Sequence, residues 1–276
     1  MKLHLINSAT LRVKSSLICK GTTGQTNLNV RFGIFEHSDL GPVLIDAGYA
    51  PRVVSGSQRS LPLRLYGAVL NPQISQAGHP DAALAQLGYN RRDVRHVILT
   101  HLHADHVGYL DLFDSAELHL TRQCCEILRK RPGLRGLRHG VFSELLPQFR
   151  ENRANPFEAG ILRTLPGDLG EGRDVFGDGS CLSVSLPGHA AGHTGLYFPK
   201  LEVPMLYAVD AAWSREAILK SRSPGWPAHL VAQDRHAEAE TCLRLRNFVA
   251  GGGHMALCHE AQQTPWDLLS SFQDTI

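Results

Sequence analysis

Thr100-His101-Leu102-His103-Ala104-Asp105-His106-Val107-Gly108 places three imidazoles and one carboxylate within six positions. Ligand-type side chains at that density read as a metal-binding cluster rather than a solvated polar loop. The run before it, Val94-Arg95-His96-Val97-Ile98-Leu99-Thr100, is apolar and β-branched enough to be a buried strand, so the cluster falls where that strand ends. Side chains two apart on an extended chain share a face, which aims His101 and His103 at one point. Asp105 and His106 fall in the turn that follows and can serve a second point nearby. Neutral imidazole nitrogen and carboxylate oxygen are ligands that zinc accepts, and related first-row metals take the same set.

Such a cluster needs partners, because a catalytic zinc keeps three protein ligands and one open position. Three more apolar runs supply them. Ser180-Cys181-Leu182-Ser183-Val184-Ser185-Leu186 alternates with the period of a half-buried strand and leads into Pro187-Gly188-His189-Ala190-Ala191-Gly192-His193-Thr194-Gly195. Val203-Pro204-Met205-Leu206-Tyr207-Ala208-Val209 closes on Asp210, and Met255-Ala256-Leu257-Cys258 closes on His259. Each run thus ends in a potential ligand, as expected when strands of an α/β fold bring their ends to one rim of a sheet.

This ordered set, His-x-His-x-Asp-His, then Pro-Gly-His, then a strand-terminal Asp, then a late His, resembles the metallo-β-lactamase superfamily of metallohydrolases. The resemblance runs from Val43-Leu44-Ile45-Asp46-Ala47-Gly48 to His259. It implies a four-layered αβ/βα sandwich in one domain over residues 1–276, with metals at one edge between two sheets. It also implies that His101, His103 and His189 hold one divalent ion, zinc by default, that Asp105, His106 and His259 hold a second, and that Asp210 bridges them. A hydroxide between the two ions would be the nucleophile. That chemistry has its own logic, since a metal ion lowers the pKa of bound water from 15.7 to roughly 7, and a second ion can polarise the attacked carbonyl. Asp105, beside the nucleophile's expected position, can also orient it or accept its proton, a catalytic role in addition to ligation.

Within the superfamily the layout is most similar to the N-acyl homoserine lactone lactonase-like group, through Leu-Ile-Asp-Ala-Gly, Thr-His-Leu-His-Ala-Asp-His-Val-Gly, Asp111-Leu112-Phe113-Asp114-Ser115-Ala116-Glu117-Leu118 and Pro-Gly-His-x-x-Gly-His. The reading is therefore a dinuclear hydrolase opening a lactone or related ester. One departure concerns the substrate pocket: many of those lactonases carry Asp-Ala-Ser-Tyr where this chain has Asp210-Ala211-Ala212-Trp213. An indole offers an N–H donor and ring packing but no dissociable hydroxyl, so Trp213 is read as substrate-contacting and not as a proton donor. His193 does not align with a family ligand and is assigned a hydrogen-bonding role behind the metals. Cys258 adjoins His259, but alternation along an extended segment is expected to turn its thiol away from the metals. His229, His236 and His254 lie outside the motifs; His254 follows three glycines and has no apolar run to aim it.

Alternatives on the same centre are a phosphodiesterase or phosphatase and a thioesterase of glyoxalase II type. The latter usually adds a carboxy-terminal helical region, for which 17 residues after His259 are too few. From another class come a binding module that has lost its chemistry, against which all seven ligand positions are filled, and an iron redox protein, which normally brings a flavin-binding domain. Formal net charge is only +2, too weak a field to argue for nucleic acid. The amino terminus lacks a secretory h-region and no run has the length of a membrane span, so a cytoplasmic enzyme acting on a small molecule is expected. Six scattered cysteines without a CxxC pair read as reduced and mostly buried. The segment from Tyr49 to Pro80, punctuated by proline and glycine around Leu61–Leu70, reads as a long loop that covers the site or docks a second copy in a homodimer. The basic run from Arg129 to His139 is a solvated face or an anchor for an anionic group.

Overall fold

Two mixed β-sheets face each other across an apolar interior. The structure is a computed structural model that describes residues 1–57, 59–131, 133, 137, 140–148, 150–222 and 232–269. The first sheet is built from β1 (Lys2–Lys14), β2 (Gln25–His37), β3 (Gly41–Ile45), β4 (Gln73–Ile74), β5 (His96–Ile98), β6 (Glu117–Leu120) and β7 (Ala154–Pro156), in the order β4-β1-β2-β3-β5-β6-β7. The second holds β8 (Leu162–Thr164), β9 (Glu171–Asp174), β10 (Leu182–Ser185), β11 (Thr194–Phe198), β12 (Met205–Tyr207) and β13 (His254–Ala256), in the order β13-β12-β11-β10-β9-β8.

Two-residue periodicity sorts the second sheet into an inner and an outer face. Met205, Tyr207, Val209, Ala256, Cys258, Leu196 and Phe198 join the large core between the sheets, while Leu206, Ala208, Met255, Leu257, Leu182 and Val184 join a separate cluster with Leu245 and Phe248 of the long helix Arg235–Ala250. Alternate residues of one strand therefore serve two different layers, which is how a short strand such as β12 can be buried on both sides. Across the interior the rings of Phe35 and Phe198 lie 4.9 Å apart, and the Tyr207 hydroxyl donates to the Arg31 carbonyl at 3.1 Å. Helices α1 (Ser15–Ile18), α2 (Pro51–Val54), α3 (Leu61–Leu70), α4 (Pro80–Gln86) and α5 (Arg122–Lys130) belong to the first half of the chain; α6 (Arg215–Leu219) and α7 (Arg235–Ala250) belong to the second. This is the expected αβ/βα sandwich, and its strands match the runs read from the sequence.

Parallel pairing decides where the site forms. β3, β5 and β6 run parallel, as do β12 and β13, so the carboxyl ends of β5, β12 and β13 reach the same edge. The two sheets are tied together at that edge by the backbone bond from Thr194 N–H to the Thr100 carbonyl, 3.1 Å.

The Tyr49–Pro80 segment departs from the loop expected of it. It folds into α2, α3 and the short β4. Ser60 caps α3 by accepting from Leu63 N–H, Pro62 occupies the first turn, and Asn71 ends the helix at φ 41°. Leu63 and Gly67 face inward, whereas Leu61, Leu65 and Val69 form an exposed apolar ridge at helical spacing. In the basic run, Arg129 pairs with Glu151, Lys130 with Glu126, and the Arg131 guanidinium donates to the Ser143, Leu146 and Pro147 carbonyls. Residues 132, 134–136, 138 and 139 of that run, and His229, lie outside the described residues. The cysteines are free thiols, with Cys242 the least buried. No helix among the described residues is long and apolar enough to cross a membrane.

Candidate metal centre

Just past the end of β5 the chain carries His101 and His103 in an irregular stretch and then turns at Ala104–His106, closed by the bond from His106 N–H to the His103 carbonyl. The two imidazole rings consequently stand 4.5 Å apart, centre to centre. His189 arrives after β10, Asp210 after β12 and His259 after β13. All seven residues are buried.

Asp210 is the focus. Its Oδ2 lies 3.2 Å from His106 Nε2, 3.2 Å from His259 Nε2, 3.4 Å from His189 Nε2 and 3.7 Å from His101 Nε2. His189 Nε2 is 3.0 Å from His103 Nδ1. Two overlapping groups of ligand atoms result: His101, His103, His189 and Asp210 in one, and His106, Asp210, Cys258 and His259 in the other. Asp105 flanks the second group, with Oδ2 at 3.3 Å from His259 Nε2 and 3.6 Å from His106 Nε2. Asp210 is the residue common to both groups.

Buried polar atoms without partners are rare in folded proteins. Here His101 Nε2, His103 Nε2 and Asp210 Oδ1 are buried and have no hydrogen-bond partner among the described residues, all within the cluster. A divalent cation among these lone pairs would satisfy them, so the donor set fits a metal centre. The protonation states agree for the first group: burial holds His101 and His189 well below the ordinary imidazole range and His103 down to about 4, which keeps these rings neutral and able to ligate. In the second group burial also opposes charge, but for His106 the carboxylates of Asp210, Asp105 and Asp46 outweigh it, and for His259 that of Asp210 leads; both rings are drawn well above the usual range in the metal-free chain. A proton on each ring and a cation among them are competing ways to neutralise the same carboxylates.

The cluster is held by residues that the sequence did not single out. Asp46, at φ 58° in the left-handed region, accepts from Thr100 N–H at 2.9 Å and Thr100 Oγ1 at 2.7 Å, and its Oδ2 lies 2.8 Å from His106 Nδ1. With that proton on Nδ1, His106 presents the Nε2 lone pair to the cluster. His259 is oriented in the same way by the Asn29 carbonyl, 2.9 Å from its Nδ1. Arg31, 1 % exposed, grips Asp267 with two donors and reaches the carbonyls of Cys258, Glu260 and Gln262, pinning the loop that carries His259. Val209 sits at φ 53°, a conformation that a β-branched residue resists by about 1–3 kcal/mol, directly before Asp210. Such strain on the neighbour of the focal carboxylate is part of how the site is aimed.

His193 uses both ring nitrogens on the backbone: Nδ1 faces the Leu186 carbonyl at 2.7 Å and Nε2 accepts from Asp210 N–H at 3.2 Å. Trp213 stands edge-on to His259, ring centres 6.5 Å apart. Cys258 departs from expectation: its Sγ lies 4.0 Å from His106 Nε2, because Cys258 keeps the alternation that turns Ala256 into the interior between the sheets, while the bend at residues 258–259 brings His259 round to the same cluster; the thiol donates to the Arg31 carbonyl at 3.3 Å. His254 is exposed at the start of β13, and His236 is exposed on α7 beside Glu240. Two phenols were also unforeseen. Tyr49 is fully buried, its hydroxyl faces that of Tyr66 of α3, and both are raised above the usual phenol range, first by burial and further by the Asp105 charge.

Glycines let the ligand loops pass close to other backbone. Gly188 adopts φ +127°, and a Cβ there would meet Glu238 Cα of α7 at 2.3 Å. At Gly108 a Cβ would meet the Gly48 carbonyl at 2.3 Å. Both flank ligands, and neither position tolerates a side chain without displacing them.

Comparisons with known proteins agree with this geometry. The chain is 27 % identical to the N-acyl homoserine lactonase AttM of Azorhizobium caulinodans, over 96 % of its own length and 95 % of the relative's. It is 26 % identical to the protein of the same name from Rhizobium johnstonii, over 91 % and 92 % of the two chains. Among solved structures it resembles a quorum-quenching N-acyl homoserine lactone lactonase with a TM-score of 0.68 at 20 % identity, covering 96 % of this chain and 94 % of that one, a likeness that speaks to the fold. Residues 34–254 match the family model of the metallo-beta-lactamase superfamily, and with the sandwich and its edge cluster in place the chain belongs to that superfamily.

Proposed function

We propose that this metal-dependent hydrolase opens an acyl-substituted lactone, of the N-acyl homoserine lactone kind, at a centre of two divalent ions, zinc by default. The observation that carries the reading is the convergence of His101, His103, His189, Asp105, His106 and His259 on Asp210, with three buried lone-pair atoms left unbonded. The full-length similarity to proteins named as lactonases supports the choice of substrate. Bound ions would supply a water nucleophile at neutral pH and polarise the attacked carbonyl. The chain's own residues do the rest. His101, His103 and His189 would hold one ion and His106 and His259 with Asp105 the other, with Asp210 common to both groups.

His193 fixes the Asp210 backbone, and Asp46 and the Asn29 carbonyl fix the ligating tautomers of His106 and His259. Asp105, drawn below the usual carboxylate range by His106 and His259 despite its burial, is ionised and can take a proton from the attacking water. Trp213 lines a cavity of about 240 Å³ together with Ile18, Ala211, Ile218, Arg222, Glu238 and Arg246; the cavity adjoins the cluster through Ala211, and no cluster residue lines it. Its apolar wall suits an acyl chain, and the Trp213 N–H is a donor for the amide or ring oxygen. The described part of the basic run is engaged with Glu151, Glu126 and backbone carbonyls, which disfavours it as an anchor for a phosphodiester.

The test is a panel on metal-replete protein: acyl-homoserine lactones of several chain lengths, an aromatic lactone, a thioester and bis(p-nitrophenyl) phosphate. Lactone turnover that rises with acyl length and falls on Trp213→Ala supports the assignment. Phosphodiester or thioester turnover without lactone turnover overturns it.

A further inference from the structure

A second convergence of ligand-type side chains stands at the opposite end of β5. His96 opens that strand, and Glu117 and His119 lie on the adjacent parallel strand β6, in the register His96↔Glu117 and Ile98↔His119. His96 Nδ1 lies 3.1 Å from His119 Nε2 and 3.7 Å from Glu117 Oε2, and the three atoms fall within 4.8 Å of one another. Two ligands at zinc–nitrogen distances of 2.0–2.1 Å in tetrahedral geometry are roughly 3.3 Å apart, so these spacings are those of a site that closes around an ion with small side-chain movements.

We propose that His96, Glu117 and His119 form a separate binding site for one transition-metal dication, distinct from the hydrolytic centre. Five residues of extended chain, about 16 Å, separate His96 from His101, so the two sites share no ligand. The N₂O donor set suits Zn²⁺, Co²⁺, Ni²⁺ or Cu²⁺ and not the oxygen-seeking Ca²⁺ or Mg²⁺. Both imidazoles are available: burial lowers His96 below its ordinary range and His119 to about 4, so no proton has to leave either ring at pH 7.

The surroundings are built to hold the ligands in place. Asn155 of β7 donates to Glu117 Oε2 at 3.1 Å and fixes that carboxylate, as outer partners do in metal sites. The Phe176 ring packs against both imidazoles, with centres 5.1 Å from His119 and 6.0 Å from His96, and closes the site on one side. On the other side Glu117, half exposed, leaves an entry path and room for water as the fourth ligand. The ion would staple β5 to β6 at the end of the strand pair that does not carry the hydrolytic ligands.

Equilibrium dialysis against buffered free zinc, with bound zinc counted by mass spectrometry, tests this on the whole chain. The wild type is expected to bind one equivalent that His96→Gln and His119→Gln lack and that Glu117→Gln holds at least ten-fold more weakly. Asp210→Asn should retain that equivalent, and His96→Gln should leave hydrolysis of the best substrate unchanged. Because His119 is buried and its variant can fail to fold, His96 and Glu117, which are more exposed, carry the test. Identical zinc stoichiometry and affinity in the wild type and His96→Gln would overturn the proposal.

Discussion

Replacing Asp46 by asparagine asks whether the carboxylate behind His106 sets that ring's tautomer. Oδ1 of the amide can still accept from Thr100 N–H, as in the wild type at 2.9 Å. The new NH₂ group stands where Oδ2 now meets Thr100 Oγ1 at 2.7 Å and His106 Nδ1 at 2.8 Å. Thr100 Oγ1 can turn and accept, but His106 Nδ1 must accept as well, which moves the ring proton to Nε2 and removes the lone pair facing Asp210. Losing an outer partner of a metal-ligating histidine typically costs 10–100-fold in metal affinity, about 1.4–2.7 kcal/mol. Three charge-assisted hydrogen bonds also become neutral ones, for a loss of about 3 kcal/mol in the metal-free fold at roughly 1 kcal/mol per bond. Competition against chelators of graded strength, with metal counted per chain, should show one ion weakened by that factor and the ion at His101, His103 and His189 much less affected; urea unfolding of stripped protein reads the second term. An Asp46→Asn protein that holds both ions as tightly as the wild type would refute the tautomer argument.

Other perturbations have equally definite outcomes. Arg31→Met breaks a buried pair with Asp267 and strands several carbonyls around His259, so unfolding free energy should fall by about 3–5 kcal/mol, with zinc content falling too; a stable, fully metallated variant would show that the His259 loop holds itself. Gly188→Ala forces a Cβ into Glu238 of α7 and should depress soluble yield and metal binding at His189 together, whereas normal metal content would mean that the loop relaxes freely. Because His119 is lowered from 6.5 to about 4, the unfolded chain binds a proton that the folded chain refuses over that window; in urea titrations the stability difference between stripped wild type and stripped His119→Gln should be constant above pH 6.5 and shift against the wild type by up to about 3 kcal/mol as pH drops to 4. If two copies associate through the apolar ridge of Leu61, Leu65 and Val69, sedimentation should give a dimer that Leu65→Glu converts to monomer; a wild-type monomer at micromolar concentration would remove the homodimer from consideration.

The loops that converge on Asp210 were legible because each follows an apolar strand, and strand ends at the carboxyl edge of parallel sheets converge in space. His101 and His103 could be aimed from alternation alone, and their rings do stand 4.5 Å apart. At the last strand the residue that leaves the alternation is His259: Cys258 shares the inward face of Ala256, and the bend at residues 258–259 brings His259 to the cluster beside it. Helix α3 was hidden by an inverted pattern: Leu61, Leu65 and Val69 face outward while Gly67 faces in, so hydrophobicity does not mark the buried side, although Ser60, Pro62 and Asn71 are cap signals in plain view. Asp46, Asn29 and Arg31 act on residues 60, 230 and about 229 positions away, and no local pattern encodes contacts of that range. Positive φ at Val209 is likewise invisible in a run that reads as a plain strand.

Lactone hydrolysis measured on chelator-stripped protein as zinc is returned in steps from zero to three equivalents per chain tests metal-dependent lactone opening most directly. Turnover should be absent at zero, rise with loading and level off at two equivalents, with any third equivalent adding none. Undiminished turnover by the stripped protein, or no lactone opening at any loading, would contradict the assignment.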